Sequence, residues 1–207
     1  MDAESTVRDA WRSIAGSHHD DVVERVLARH REPHRHHHTA RHLAAVIGHL
    51  HALSDDDVAP PIVAAAIFHD VVYDPRSSTN EADSADIAVD ELRGLGWAVD
   101  RRDDVRRLIH ATARHDAAAV DEALLLDADL AILGAPPDDY DRYAAAVRLE
   151  YAHVRDDEWS VGRAAVLRSF LDRRAIFHTE QMRSSREETA RLNLRRELAA
   201  LQPLDQR

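Results

Sequence analysis

The sequence predicts an all-α protein, and three observations carry that expectation. Gly (6) and Pro (7) are few. Alternating β-branched runs of the kind strands need are nearly absent. Apolar residues recur instead at helical spacing over most of the chain. The expected helices, in order, are 4–14, 20–30, 39–53, 61–72, 80–95, 102–115, 121–133, 138–154, 159–173 and 185–201. Pro60-Pro61 suits the first turn of the fourth helix. Ile62 to Phe68 is apolar all round, which marks a central helix rather than a surface one. Asn80 is placed to cap the fifth helix. Gly94, Gly96 and Gly134 fall where helices should end. Asp74-Pro75-Arg76-Ser77-Ser78 is the clearest internal loop. With no repeat and no low-complexity linker, the expectation is a single domain over 1–207 of about ten helices. Its motif-bearing core would span about 35–133, with helices over 138–201 packed on it.

At 207 residues the chain is long enough to bury a substantial core. Lys and Arg total 27 against 38 Asp and Glu, a formal charge of −11. That balance argues against a nucleic-acid partner, which needs a cationic footprint. No basic block would attract a membrane surface, and the longest strongly apolar stretch, about 59–68, is too short to span a bilayer. The absence of Cys removes disulfides, zinc–thiolate sites, iron–sulfur clusters and Cys nucleophiles. The polar, acidic start of the chain does not read as a signal peptide, so the expected location is cytoplasmic. Every basic residue is Arg, and His is frequent at 15, so where the His cluster matters more than how many there are.

The chemistry concentrates in three places: His38 within a His-rich run, the doublet His69-Asp70 at the end of the apolar helix, and the acidic pair Asp127/Asp129. A His–Asp doublet ending a buried helix is costly unless it is paired or binds a metal. Imidazoles with carboxylates suit borderline to hard divalent cations, and three or four such groups from separate helices can hold one ion. The pattern resembles the HD-domain superfamily of metal-dependent phosphohydrolases, named for that doublet. His38 and His69 are 31 residues apart, and Asp70 and Asp129 are 59 apart. The stretches Arg35-His36-His37-His38-Thr39, AIFHDVVYD, TNEADSA, LLLDADLAILGA, VRLEY and ETARLNL resemble an uncharacterised bacterial subgroup of predicted HD phosphohydrolases, over roughly 35–197. His37 departs from the Tyr expected there. The resemblance implies an HD-type helical bundle in which His38, His69, Asp70 and Asp129 hold one divalent ion (Mn, Co, Ni, Mg, Zn or Fe).

Helical geometry tests each residue. On 124–133, Leu125, Leu126, Leu130, Ile132 and Leu133 define the apolar side. Asp129 falls near its centre and Asp127 nearly opposite, so Asp129 is the expected ligand and Asp127 a surface residue. His38 aligns with the superfamily's first ligand. His42 lies one turn on at i+4, nearer the apolar side of Leu43, Val46, Ile47 and Leu50; it is the alternative first ligand, and with His38 ligating it would face substrate or support the ligands. Asp74 follows the doublet by four residues. HDVVYD is similar to HDVVED in the hydrolase domain of the alarmone enzymes, where late carboxylates move protons. Tyr73 replaces the first of them, leaving Asp74. Glu81 shares a face with Ala85, Ala88, Leu92 and Leu95, so it points inward, as acid–base work requires. Thr112 centres the face of Val105, Leu108 and Ile109, and His115 lies at its edge. Both are candidate substrate contacts, and His115 is also a candidate for a second metal. Arg35 suits phosphate geometrically and is a candidate clamp. Glu187 and Arg191 read as an i,i+4 ion pair supporting the core.

The resulting expectation is a phosphohydrolase acting on a nucleotide or other small phosphate ester, with Asp74 and Glu81 as catalytic groups and a homodimer admitted. Two alternatives stand beside it. One is an HD-type dinuclear iron oxygenase, which needs further His ligands between the doublet and the last Asp, where only His110 and His115 occur. The other is a non-catalytic nucleotide-binding module, which the Tyr73 replacement allows.

Overall fold

A computed structural model of the chain describes residues 2–54 and 57–201. Among them there is no strand; the elements are ten α-helices and two short 3-10 turns. No helix among the described residues is long and apolar enough to cross a membrane. The chain divides into two compact units, which meet in sequence at Asp129–Leu130.

The first unit holds α1 (Ala3–Ala15), α2 (Asp20–Arg29), α3 (Ala40–Leu53), α4 (Pro60–Phe68), α5 (Asn80–Gly94), α6 (Val99–Thr112) and α7 (Val120–Asp129). Its centre is α4. Every residue from Ile62 to Phe68 is buried, and α1, α3, α5, α6 and α7 all pack on the helix. Each large apolar side chain it buries contributes about 2 kcal/mol, so the all-apolar run requires this enclosed position. Around it, α3 turns His42, Leu43, Val46, Ile47 and Leu50 inward, and α6 buries Val105, Leu108, Ile109 and Thr112. Asp2 caps α1 by accepting the Ser5 amide at 3.0 Å.

The α4 helix ends earlier than its apolar pattern suggests, at Phe68 rather than 72. The His69 amide still bonds the Ala65 carbonyl, but the Val71 amide bonds Phe68, three residues back. The tightened turn throws His69 and Asp70 out at the helix terminus. The seventh expected helix breaks in the same manner: α7 stops at Asp129 and a 3-10 turn, Leu130–Gly134, follows. Thr79, not Asn80, stands at the start of α5. The Asn80 amide is used to close the preceding loop, accepting the Asp74 amide at 3.0 Å and donating to the Asp74 carbonyl at 2.9 Å. Gly94 is still helical, and Gly96 takes the left-handed backbone, φ +75°.

The second unit holds that 3-10 turn, α8 (Pro137–Glu150), α9 (Asp156–Leu171) and α10 (Glu180–Leu201). The last helix begins five residues before its expected start. Thr179 Oγ1 accepts the Met182 amide at 3.3 Å there. Gly134 is needed for close approach: a Cβ there would lie 2.6 Å from Arg186 Cβ and 2.9 Å from its carbonyl oxygen. Asn193 donates to the carbonyls of Leu133 and Ala135, both at 2.9 Å. Glu187 and Arg191 form the expected ion pair at 2.7 Å. They also tie down the 171–177 segment: Glu187 accepts the amides of Ile176 and Phe177, and Arg191 donates to the carbonyls of Leu171 and Arg173.

Candidate metal centre

Three helices of the first unit deliver polar side chains to one nearly enclosed spot. The end of α4 supplies His69 and Asp70, the first turn of α3 supplies His42, and the last residue of α7 supplies Asp129. His69 Nδ1 lies 3.0 Å from the Ala66 carbonyl. A carbonyl only accepts, so Nδ1 carries the proton and Nε2 is the free nitrogen of the neutral ring. That Nε2 faces His42 Nε2 at 3.2 Å. Asp70 Oδ2 stands 3.0 Å from His69 Nε2 and 3.4 Å from His42 Nε2. Asp129 Oδ1 stands 3.2 Å from His42 Nε2 and 3.7 Å from His69 Nε2. The other Asp129 oxygen, Oδ2, is held by His115 Nε2 at 3.0 Å.

Two imidazole nitrogens cannot face each other at hydrogen-bond distance with both lone pairs bare. Either a proton or a cation must lie between them. Without a metal, protons supply the balance. Burial opposes charging His42, but the carboxylates of Asp129 and Asp70 outweigh it and lift it to about 9. Burial also opposes charging His69, and Asp70 and Asp129 drive it well above its ordinary value. Asp70 and Asp129 stay well below the ordinary carboxylate range despite burial. The facing imidazoles are the cause, His69 and then His38 for Asp70, and His115, His42 and His69 for Asp129. The spot is thus built to hold compensated charge inside the protein. One ligand atom each from His42, His69 and Asp129 lies within 4.8 Å of the others. Nitrogen and carboxylate donors of this kind fit a borderline to hard divalent ion.

The structure sorts the residues that sequence singled out. It brings His69, Asp70 and Asp129 together. His42 belongs with them rather than behind them. The ring of His38 stacks on Tyr73 at 4.0 Å and lies edge-on to His42 at 5.8 Å; it acts on Asp70 from the edge of the site, outside the three residues whose ligand atoms converge. The reason is that α3 begins at Ala40. Only His42 lies on the helix, on its buried stripe, while His38 sits in the loop before it.

Asp127 is fully buried, against its expected surface position. The second half of α7 has no solvent side: Leu125, Leu126 and Ala128 are buried as well. Arg35 does not wait for phosphate. Its side chain is 0% exposed, and its guanidinium donates to the Asp70 carbonyl at 2.6 Å, the Val71 carbonyl at 3.1 Å and Glu32 at 3.1 Å. Thr112 is buried and returns its hydroxyl to its own helix, donating to the Ile109 carbonyl at 2.7 Å. His115 contacts a proposed ligand, Asp129, and is a half-buried non-glycine residue at φ +49°. That uncommon left-handed conformation aims its ring.

Asp74 is exposed, and its carboxylate accepts the Arg76 amide at 2.9 Å, which shapes the loop. Glu81 is half-buried in the first turn of α5. It lies three residues before Ser84 and so shares the face that meets the doublet turn. Ser84 was not singled out from sequence. Its buried hydroxyl accepts the Val72 amide at 3.0 Å and reaches the Val72 carbonyl at 3.3 Å. Its position on the apolar face with Ala85 and Ala88 was the available signal. Glu122 was also missed: it accepts the amides of Ala118 and Ala119 and pairs with Arg107 at 2.7 Å, anchoring the start of α7.

Fold and site together define an all-α protein with a buried His/Asp group able to hold a metal ion. No family model matches the chain, and no curated protein or solved structure matches it either.

Proposed function

We propose that the protein is a metal-dependent phosphohydrolase of the HD type, acting on a nucleotide or other small phosphate ester. The observation that carries this reading is the convergence of His42, His69, Asp70 and Asp129 within 3.0–3.7 Å of one another's nitrogens at three helix termini. Supporting it, three of the residues that resemble the HD motif, His69, Asp70 and Asp129, meet there, with His42 where the resemblance implied His38. A bound divalent ion supplies Lewis acidity toward a phosphoryl oxygen and a more acidic water. The chain's own groups do the rest. The Ala66 carbonyl fixes the His69 tautomer, His115 fixes the Asp129 carboxylate, and Glu81, half-buried in the first turn of α5, would move a proton. Asp74 serves the loop, so Glu81 carries the acid–base role in this reading.

His115 favours a second reading. A third imidazole against Asp129 enlarges the ligand set, as a dinuclear iron oxygenase would need. Metal stoichiometry and phosphate release separate the two. The hydrolase reading expects about one divalent ion per chain and phosphate release from a nucleotide panel with manganese, cobalt or nickel, lost in a His69→Ala/Asp70→Ala variant. About two irons per chain would select the oxygenase. Metal retention with nucleotide binding but no turnover would leave a binding module.

A further inference from the structure

We infer that Arg35 is a positioning residue for the metal centre, a buried strut that sets the backbone from which Asp70 reaches the ion. The inference rests on the metal-site reading above. A helix terminus leaves its last carbonyls without intrahelical partners, and a cation is favoured there. At the end of α4, a guanidinium from 35 residues earlier in the chain meets that need. Nη1 takes the Asp70 carbonyl at 2.6 Å and Nη2 the Val71 carbonyl at 3.1 Å. Its Nε is held by Glu32 at 3.1 Å, and Tyr73 lies under the cation with its ring centre 5.5 Å from Cζ. On the far side of the same turn, Ser84 clasps both the amide and the carbonyl of Val72.

The backbone of Asp70 to Val72 is thus gripped from two elements. Its freedom to rotate decides whether Asp70 Oδ2 stays 3.0 Å from His69 Nε2. Only a planar fork can hold two successive carbonyls with fixed angles; an ammonium at the same place is a point charge. The Arg35 side chain is also closed to solvent, so a phosphate would have to displace these bonds to reach it.

The test is Arg35→Lys, which keeps the charge and removes the fork, titrated with cobalt(II) as the probe. A strut predicts cobalt affinity about 10- to 100-fold weaker, the usual effect of losing a group that orients a ligand. It also predicts an altered visible spectrum of the bound cobalt and a lower kcat on a phosphate ester, with KM within about twofold. Unchanged cobalt affinity and spectrum with a raised KM would overturn the inference and return Arg35 to phosphate binding. Should Arg35→Lys not fold, Ser84→Ala loosens the same turn from the other side. It must then weaken cobalt binding; a wild-type affinity in that variant would overturn the inference. Failure of the wild-type chain to bind cobalt at all would sink the metal-site reading itself, a separate result.

Discussion

Each unit buries a charged cluster, and the two clusters are built on opposite principles. In the second unit, Glu197 meets donors on every side. Arg163 forks onto both its oxygens at 2.7 and 3.0 Å, and the Tyr140 hydroxyl donates to it as well. In the first unit, Asp70 and Asp129 face imidazole nitrogens that also face each other. The Arg163 cluster is complete with protein groups alone: an always-charged guanidinium and a neutral phenol meet one carboxylate. The His42 cluster reaches balance only by taking up protons or a cation. A carboxylate closed by Arg needs nothing further, while a buried set of carboxylates closed by His could hold a metal ion.

The largest expected effect breaks the first cluster. His42→Ala should remove the bound ion and cut any hydrolysis by at least about 10³-fold, while His38→Ala should retain the ion. Metal analysis of the two purified variants checks this, and the reverse pattern would restore His38 as the ligand. The second cluster should respond in stability instead. Glu197→Ala strands the Arg163 charge, and breaking one side of a buried pair costs about 3–5 kcal/mol. Denaturant unfolding should show that loss with metal stoichiometry unchanged.

A third test uses pH. His30 is buried beside the first cluster, its Nδ1 donating to the Val26 carbonyl at 2.9 Å. Burial pushes it down to about 3 from an ordinary 6.5, with Arg35 adding to the effect. The native ring therefore stays neutral where the unfolded ring is protonated. The sign follows: below pH 6.5 the unfolded state binds the extra proton, so stability falls as pH drops toward 3. The slope from this group approaches about 1.4 kcal/mol per pH unit. His30→Leu should flatten the stability profile by about one proton between pH 6 and 4, measured by urea midpoints with metal chelated. An unchanged slope would show that His30 charges in the native state.

Smaller still, Gly134→Ala should cost about 1–3 kcal/mol by forcing a Cβ against Arg186. Thr112→Val should cost under about 1.5 kcal/mol and leave KM unchanged. A raised KM in Thr112→Val would return that hydroxyl to the substrate.

The helices were legible in the sequence because their apolar spacing is strong, and α4 announced its central place by having no polar side. The doublet was legible for the same reason, since polar residues at the end of such a helix demand an explanation. Asp129 does lie beside the two imidazoles, but the surface position given to Asp127 did not hold: a helical wheel assumes one solvent side, and the end of α7 has none. The wheel also pointed to His42, on the buried stripe of α3, by the argument that selected Asp129. The alignment with a family pattern placed His38 ahead of it. Arg35 was legible as a charge but not as a strut, because its partners are backbone carbonyls in a turn far along the chain, and no side-chain pattern records them. Ser84 escaped for that reason too.

The most direct measurement is the metal content, by elemental analysis, of protein purified without immobilised metal, beside the His42→Ala and Asp129→Ala variants. The account predicts about one divalent ion per chain in the wild type and His38→Ala, and none in those two variants. A wild-type chain that holds no ion after reconstitution with manganese, cobalt or nickel would contradict it.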